Sequence, residues 1–272
     1  MADLLVKPAG GTGRIHAVTP ESAGWAYVGF EVHRLEPGGT IAADTGGREV
    51  CLVLVAGLAR IRAGAEDFGV VGGRTSPFEG SPHAVYVPAG SSYAVTAETA
   101  LEIAVCSAPG GGDHPARLIP PGTHPQIVRG QGSNTRHVTN VMPEDDGAAH
   151  SLLVVEVVTP GGNTSSYPPH KHDVDDLPNE SYLEETYYHR LNPPQGFAVQ
   201  RVYTDARDLD ETMAVEDGDV VLVPRGYHPV ATLHGYDSWY LNVMAGPKRV
   251  WKFHNAPEHA WLFTGLGTPA GR

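Results

Sequence analysis

The chain has 272 residues, 41% of them hydrophobic and 18% charged, and 31 acidic against 19 basic side chains leave it a net charge of −12. A chain of this length buries about three quarters of the surface its unfolded form exposes, so it needs no disulfide staples. Its acidic balance repels phosphate backbones and anionic membranes, which argues against nucleic acid and membrane partners; with no signal-like start and no apolar run near the roughly 18 residues of a membrane span, a cytoplasmic protein is expected.

Thirty-three Gly and 23 Pro punctuate short β-branched and aromatic runs, a pattern that predicts an all-β fold with few, short helices. In chain order the predicted strands are 26–34, 49–55, 58–62, 84–87, 101–107, 152–158, 182–191, 197–203, 219–223 and 239–244. Cys51 and Cys106 sit inside two of these runs and are expected as buried free thiols. The stretch 109–134, rich in Gly, Pro and polar residues, reads as a linker between an N-terminal unit, 1–108, and a C-terminal unit, 135–272. The two units share a motif. Glu49 precedes Val87-Pro88-Ala89-Gly90 and Glu185 precedes Val223-Pro224-Arg225-Gly226, with 39 residues from Glu to Pro in both; this predicts an internal duplication of a small β-barrel.

The histidines, 14 in all, raise the question of chemistry. In Tyr167-Pro168-Pro169-His170-Lys171-His172-Asp173, an extended strand turns His170 and His172 to one side and Lys171 to the other. A carboxylate and a third histidine from other strands would complete a three-His, one-Glu set with open positions, suited to one divalent transition metal per chain; nitrogen and oxygen ligands do not choose among Zn, Mn, Fe and Ni. This arrangement resembles the cupin superfamily, whose motifs imply a Glu of the Glu184-Glu185 pair and His228 as the remaining ligands, with two departures. Residues 173–183 lengthen the His-to-Glu loop, and only Tyr227 separates Gly226 from His228. The repeated spacing selects Glu185 over Glu184, which would then point outward. The N-terminal unit has no His-x-His before Glu49 and reads Ser91-Ser92-Tyr93 after Gly90, so it is expected to be a metal-free partner.

The wording SYPPHKHD, ESYLEETYYHRLNPPQGFAVQRVYTD, DGDVVLVPRGYHPV and GYDSWYLNVMAG resembles the 5-deoxy-glucuronate isomerase family of inositol catabolism, a relative of the 4-deoxy-uronate isomerases, over most of the chain. The resemblance implies a bicupin of two tandem jelly-roll-type barrels and an aldose–ketose isomerisation of 5-deoxy-D-glucuronate to 5-dehydro-2-deoxy-D-gluconate. Such a reaction moves a proton or a hydride between C1 and C2, and a Lewis-acidic metal assists either route; the enediol route is favoured by the lumen candidates for proton movement. By strand parity the catalytic candidates are Tyr187, His189 and Tyr240, with His189 also readable as a structural histidine. Gln200 and Asn242 are substrate-binding candidates. The substrate's carboxylate calls for a local cation, and Arg225, Arg190 and Lys171 are the candidates, Arg225 first, although it also reads as an exposed turn arginine. The aromatic run 251–255 reads as a tail packed on the barrel. The same ligands would also serve an Fe(II) dioxygenase or a non-catalytic sugar- or metal-binding protein; a homo-oligomer is a further expectation.

Overall fold

The computed structural model describes residues 3–111 and 114–265. They are mostly β, with two α-helices of four and five residues, Pro20–Ala23 and Trp261–Gly265, and two short 3-10 turns. None of these helices is long and apolar enough to cross a membrane.

Four larger sheets carry the architecture. A six-stranded sheet runs in the order Arg117–Ile119, Ala84–Val87, Arg48–Ala56, Leu101–Pro109, Gly29–Leu35, Gly13–Val18, and faces a four-stranded sheet of Thr40–Asp44, Ser92–Ala97, Leu58–Ala63 and Glu66–Gly72. A seven-stranded sheet runs Leu5–Val6, Val220–Val223, Glu184–Asn192, Asp237–Ala245, Leu153–Thr159, Arg136–Met142, Ile127–Arg129; its smaller companion is Thr164–Ser165, Val230–Thr232, Phe197–Tyr203, Asp210–Glu216. The strand order of the first half therefore recurs in the second through both the large and the small sheet, with Ile127–Arg129 as one additional edge strand in the second large sheet. Among the described residues no sheet closes on itself into a hydrogen-bonded barrel.

Sequence patterning explains which faces are buried. In Leu58–Ala63, Ala59, Ile61 and Ala63 are buried while Arg60 and Arg62 are exposed, the period of two of a half-buried strand. Arg48–Ala56 is instead buried on both faces. Val50, Leu52 and Leu54 fill the core between the two N-terminal sheets, whereas Cys51, Val53 and Val55 join the larger core that both halves share. Cys51 lies opposite Cys106 in the register; both are free thiols, and burial pushes Cys51 up to about 12.

The segment 109–134 is more than a linker. Its Arg117–Ile119 strand pairs with Ala84–Tyr86 in the first large sheet, and its Ile127–Arg129 strand pairs with Arg136–Val138 in the second. Residues Leu5 and Val6, at the other end of the first half, pair with Val221 and Val220 of the second. Each half thus receives an edge strand from the segment preceding the other half, which supplies partners for backbone groups that would otherwise be unpaired at the sheet edge.

Candidate active site

A cavity of about 300 Å³ opens in the second half, between its sheets and the C-terminal segment. The Glu184–Asn192 strand alternates around it: Glu185 and Tyr187 line the cavity, while Glu184 faces the first half. The Asp237–Ala245 strand adds Tyr240 and Asn242, the latter opposite Tyr187 in the register.

His172, Glu185 and His228 place one ligand atom each within 4.8 Å of one another, and all three are buried. Glu185 Oε2 lies 3.1 Å from His172 Nε2 and 3.2 Å from His228 Nε2. The far sides of both rings are fixed by the backbone, because His172 Nδ1 donates to the Leu183 carbonyl at 2.9 Å and His228 Nδ1 to the Gly226 carbonyl at 2.8 Å. A carbonyl can only accept, so in each neutral ring Nδ1 carries the proton and the Nε2 lone pair faces the carboxylate. One proton can serve the His172–Glu185 contact, and the bond to Glu185 holds the His172 pKa up against burial. It leaves His228 Nε2 without a hydrogen-bond partner, and burial pushes that ring down to about 4. Three buried acceptor atoms converging with at most one proton between them, both rings held from behind by backbone carbonyls, are the donor set of a divalent metal site. The residues fit the group. His170 stands beside the three, its ring centroid 4.9 Å from that of His228 and 4.7 Å from that of Phe253. Burial and the neighbouring imidazoles push its pKa well below the ordinary value.

Two tyrosines carry the proton-bearing groups. Tyr187 Oη lies 2.9 Å and Tyr240 Oη 3.5 Å from Ser166 Oγ. Burial raises both phenols, Tyr187 the more strongly with Glu185 nearby, so both stay protonated through the neutral range. Ser166 has φ +48, a backbone conformation in which non-glycine residues are strained, and that strain is spent where its hydroxyl meets both phenols. Asn242 lines the same cavity with a buried Nδ2 that has no partner.

The remaining sequence candidates lie elsewhere. His189 is fully buried and outside the cavity lining; its Nε2 is 2.9 Å from Gln200 Oε1, and Gln200 Nε2 reaches the His228 carbonyl at 3.5 Å. Both residues therefore brace the histidine cluster from behind. Arg225 is on the surface, paired with Asp208 at 2.9 Å. Arg190 bridges Glu102 of the first half and Asp217, and Lys171 is held by Asp173 at 2.6 Å and Glu180 at 3.1 Å. None of these three cations lines the cavity. Nor does Glu184 point to solvent: it is 1% exposed and accepts the backbone N–H groups of Ala26, Tyr27 and Val28 at 2.7–2.9 Å.

Other residues were not legible as site residues. Arg129 and Arg136 line the cavity, as do Trp251, Phe253 and Asn255 of the C-terminal run read above as a packed tail. The His254–Asn255 strand pairs with His170–Lys171, which brings the tail to the cavity mouth. That pairing spans some eighty residues of sequence and leaves no local spacing to read.

The sequence matches the family model described as the KduI/IolB family over residues 4–262. It is 58% identical to the 5-deoxy-glucuronate isomerase of Geobacillus kaustophilus, covering 92% of this chain and 91% of that protein. It is 48% identical to the enzyme of the same name from Halalkalibacterium halodurans, with 96% and 99% covered. Among solved structures, an IolB-like protein of Salmonella typhimurium LT2 superposes with a TM-score of 0.94 at 54% identity, covering 96% of this chain and all of that one. An oxalate decarboxylase of Bacillus subtilis superposes with a TM-score of 0.65 at 13% identity, over all of this chain and 85% of that one, a likeness of fold alone.

Proposed function

Because the chain belongs to the KduI/IolB family, and its named relatives are 5-deoxy-glucuronate isomerases, we propose that it converts 5-deoxy-D-glucuronate to 5-dehydro-2-deoxy-D-gluconate in myo-inositol catabolism. The chain is an isomerase acting on a sugar acid; the exact substrate and the metal dependence are the parts proposed. The observation that carries the metal dependence is the convergence of His172, Glu185 and His228, with the orphaned His228 Nε2, beside a cavity that Glu185 and His170 line and that is large enough for a small sugar acid.

In this reading His172, Glu185, His228 and the adjacent His170 hold one divalent transition metal. When bound, it supplies a Lewis acid for the carbonyl and the neighbouring hydroxyl oxygen of the open-chain sugar. Tyr187 and Tyr240 remain protonated, so they act as hydrogen-bond donors and proton carriers at substrate oxygens, with Ser166 fixing both hydroxyls. Asn242 Nδ2 offers a further donor to a substrate hydroxyl. The enediol route, which needs in addition a base for the C2 proton, is the one proposed here, and the deuterium content of the product separates it from a hydride shift. The matched strand order favours reading each half as one cupin barrel: the position that pairs with Val87 in the first half is Val50, and the position that pairs with Val223 in the second is Glu185, so the first barrel presents an apolar side chain where the second presents a ligand.

The test is NMR of 5-deoxy-D-glucuronate with the purified protein in D2O, with and without prior chelation. Loss of the C1 aldose signals, appearance of a ketose and arrest by chelation are expected, with deuterium at the hydroxymethyl carbon of the product. Turnover that survives complete chelation would sink the metal dependence. No turnover after Zn, Mn, Fe and Ni are restored in turn would sink the substrate.

A further inference from the structure

We infer that Arg136, supported by Arg129, binds the carboxylate of the sugar acid and makes the site selective for an acid over a neutral aldose. The inference rests on the isomerase reading for its substrate, and on the distribution of guanidinium groups for its location.

Acids outnumber bases in this chain, and most of its described arginines are accordingly paired with carboxylates. Four described arginines have no carboxylate within 4 Å, namely Arg48, Arg129, Arg136 and Arg249. Arg48 and Arg249 spend their guanidiniums on backbone carbonyls. The other two both line the cavity that holds Glu185, Tyr187 and Tyr240. Arg136 gives Nη1 to the Asn134 carbonyl at 3.0 Å, which fixes the plane of the guanidinium and leaves it further donors. Arg129 sits 5.8 Å from the centroid of the Trp251 ring at the same cavity. The one carboxylate lining the cavity is Glu185, already hydrogen-bonded to His172 and 3.2 Å from His228 Nε2. Two half-buried like charges with no carboxylate within 4 Å repel each other and favour an anionic ligand. A guanidinium receives a carboxylate through two parallel hydrogen bonds, which gives orientation as well as affinity, so the acid end held there sets which end of the substrate lies toward the histidines.

The experiment compares wild-type protein with Arg136→Gln and Arg136→Lys. Binding of D-gluconate, which is not an aldose, is measured by calorimetry beside its neutral counterpart D-glucitol, and KM and kcat are measured on 5-deoxy-D-glucuronate. Arg136→Gln is expected to weaken gluconate binding about 10- to 100-fold, to leave glucitol unchanged, and to raise KM by a similar factor while kcat moves less than about threefold. Arg136→Lys, which keeps the charge and loses the fork, should fall between the two. Unchanged gluconate binding in a folded Arg136→Gln protein overturns the inference. So does an equal loss for gluconate and glucitol, or a loss confined to kcat. Selective loss of gluconate binding in a protein that never turned over 5-deoxy-D-glucuronate keeps the carboxylate site and rejects the substrate.

Discussion

His189 shows what burial does to a titratable group that has only one partner. Its Nε2 meets Gln200, its Nδ1 meets nothing, and burial pushes the ring down to about 4, against an ordinary value of 6.5. Between those two pH values the unfolded chain binds a proton that the folded chain does not, so stability falls as pH drops from about 6.5 and levels off below about 4. The loss attributable to this one ring is roughly 3 kcal/mol by pH 4. His189→Gln should shrink the difference in unfolding free energy between pH 7 and pH 4 by about that amount, as measured by urea denaturation at the two pH values; an equal difference in variant and wild type would contradict the assignment. At this scale the sequence misleads in one instructive way. The 39-residue spacing equates Glu185 with Glu49, yet the register pairs Val50 with Val87 and Glu185 with Val223, so the structural counterpart of Glu49 is Glu184. The stretch between the two paired strands is longer by one residue in the second half, which brought the count onto the carboxylate that does lie beside the histidines.

At the scale of elements, the strands with dense β-branched and aromatic runs were legible, all ten of them, because both their faces or one whole face must be dry. Strands such as Glu66–Gly72 and Asp210–Glu216 were not, since most of their side chains are exposed or half-buried and polar residues there carry no strong period. The inserted stretch after His172 was legible as an insertion but not as structure. It is a small hairpin, Asp173–Asp176 with Glu180–Tyr182, organised by a buried Lys171 between two carboxylates. Glu180 also accepts the backbone N–H groups of Asp173 and Val174. Lys171 is thus engaged within the loop next to His172 and lies outside the cavity lining. Removing the ammonium leaves two carboxylates facing each other with little water, and K171M should cost about 3–5 kcal/mol in urea unfolding. Adding E180Q removes one charge while keeping an acceptor for the backbone, and should recover a large part of that loss. A K171M protein as stable as wild type would show that the triad is solvated and incidental.

For the whole molecule the governing feature is reciprocity. Glu184 on the central strand of the second half accepts three consecutive backbone N–H groups, of residues 26 to 28, just ahead of a strand of the first half. Glu49, on the matching strand of the first half, does the same for His150, Ser151 and Leu152 ahead of the matching strand of the second. The edge strands cross in the same reciprocal manner, and the larger core draws its side chains from both large sheets, with Phe30 of one half and Tyr188 of the other 5.9 Å apart between ring centroids. A half released from its partner would expose that core and leave backbone donors without acceptors, so neither half has a reason to survive the loss of the other. Scanning calorimetry should show one transition for both halves. Glu49→Ala leaves buried donors without their acceptor, at a cost of about 3 kcal/mol. Because the cores are joined, that cost should lower the single transition as a unit, even though Glu49 lies in the half without the histidine cluster. A calorimetric trace in which Glu49→Ala splits off an early transition, leaving the cluster-bearing half at its wild-type temperature, would instead make the two halves independent folding units joined only by the chain.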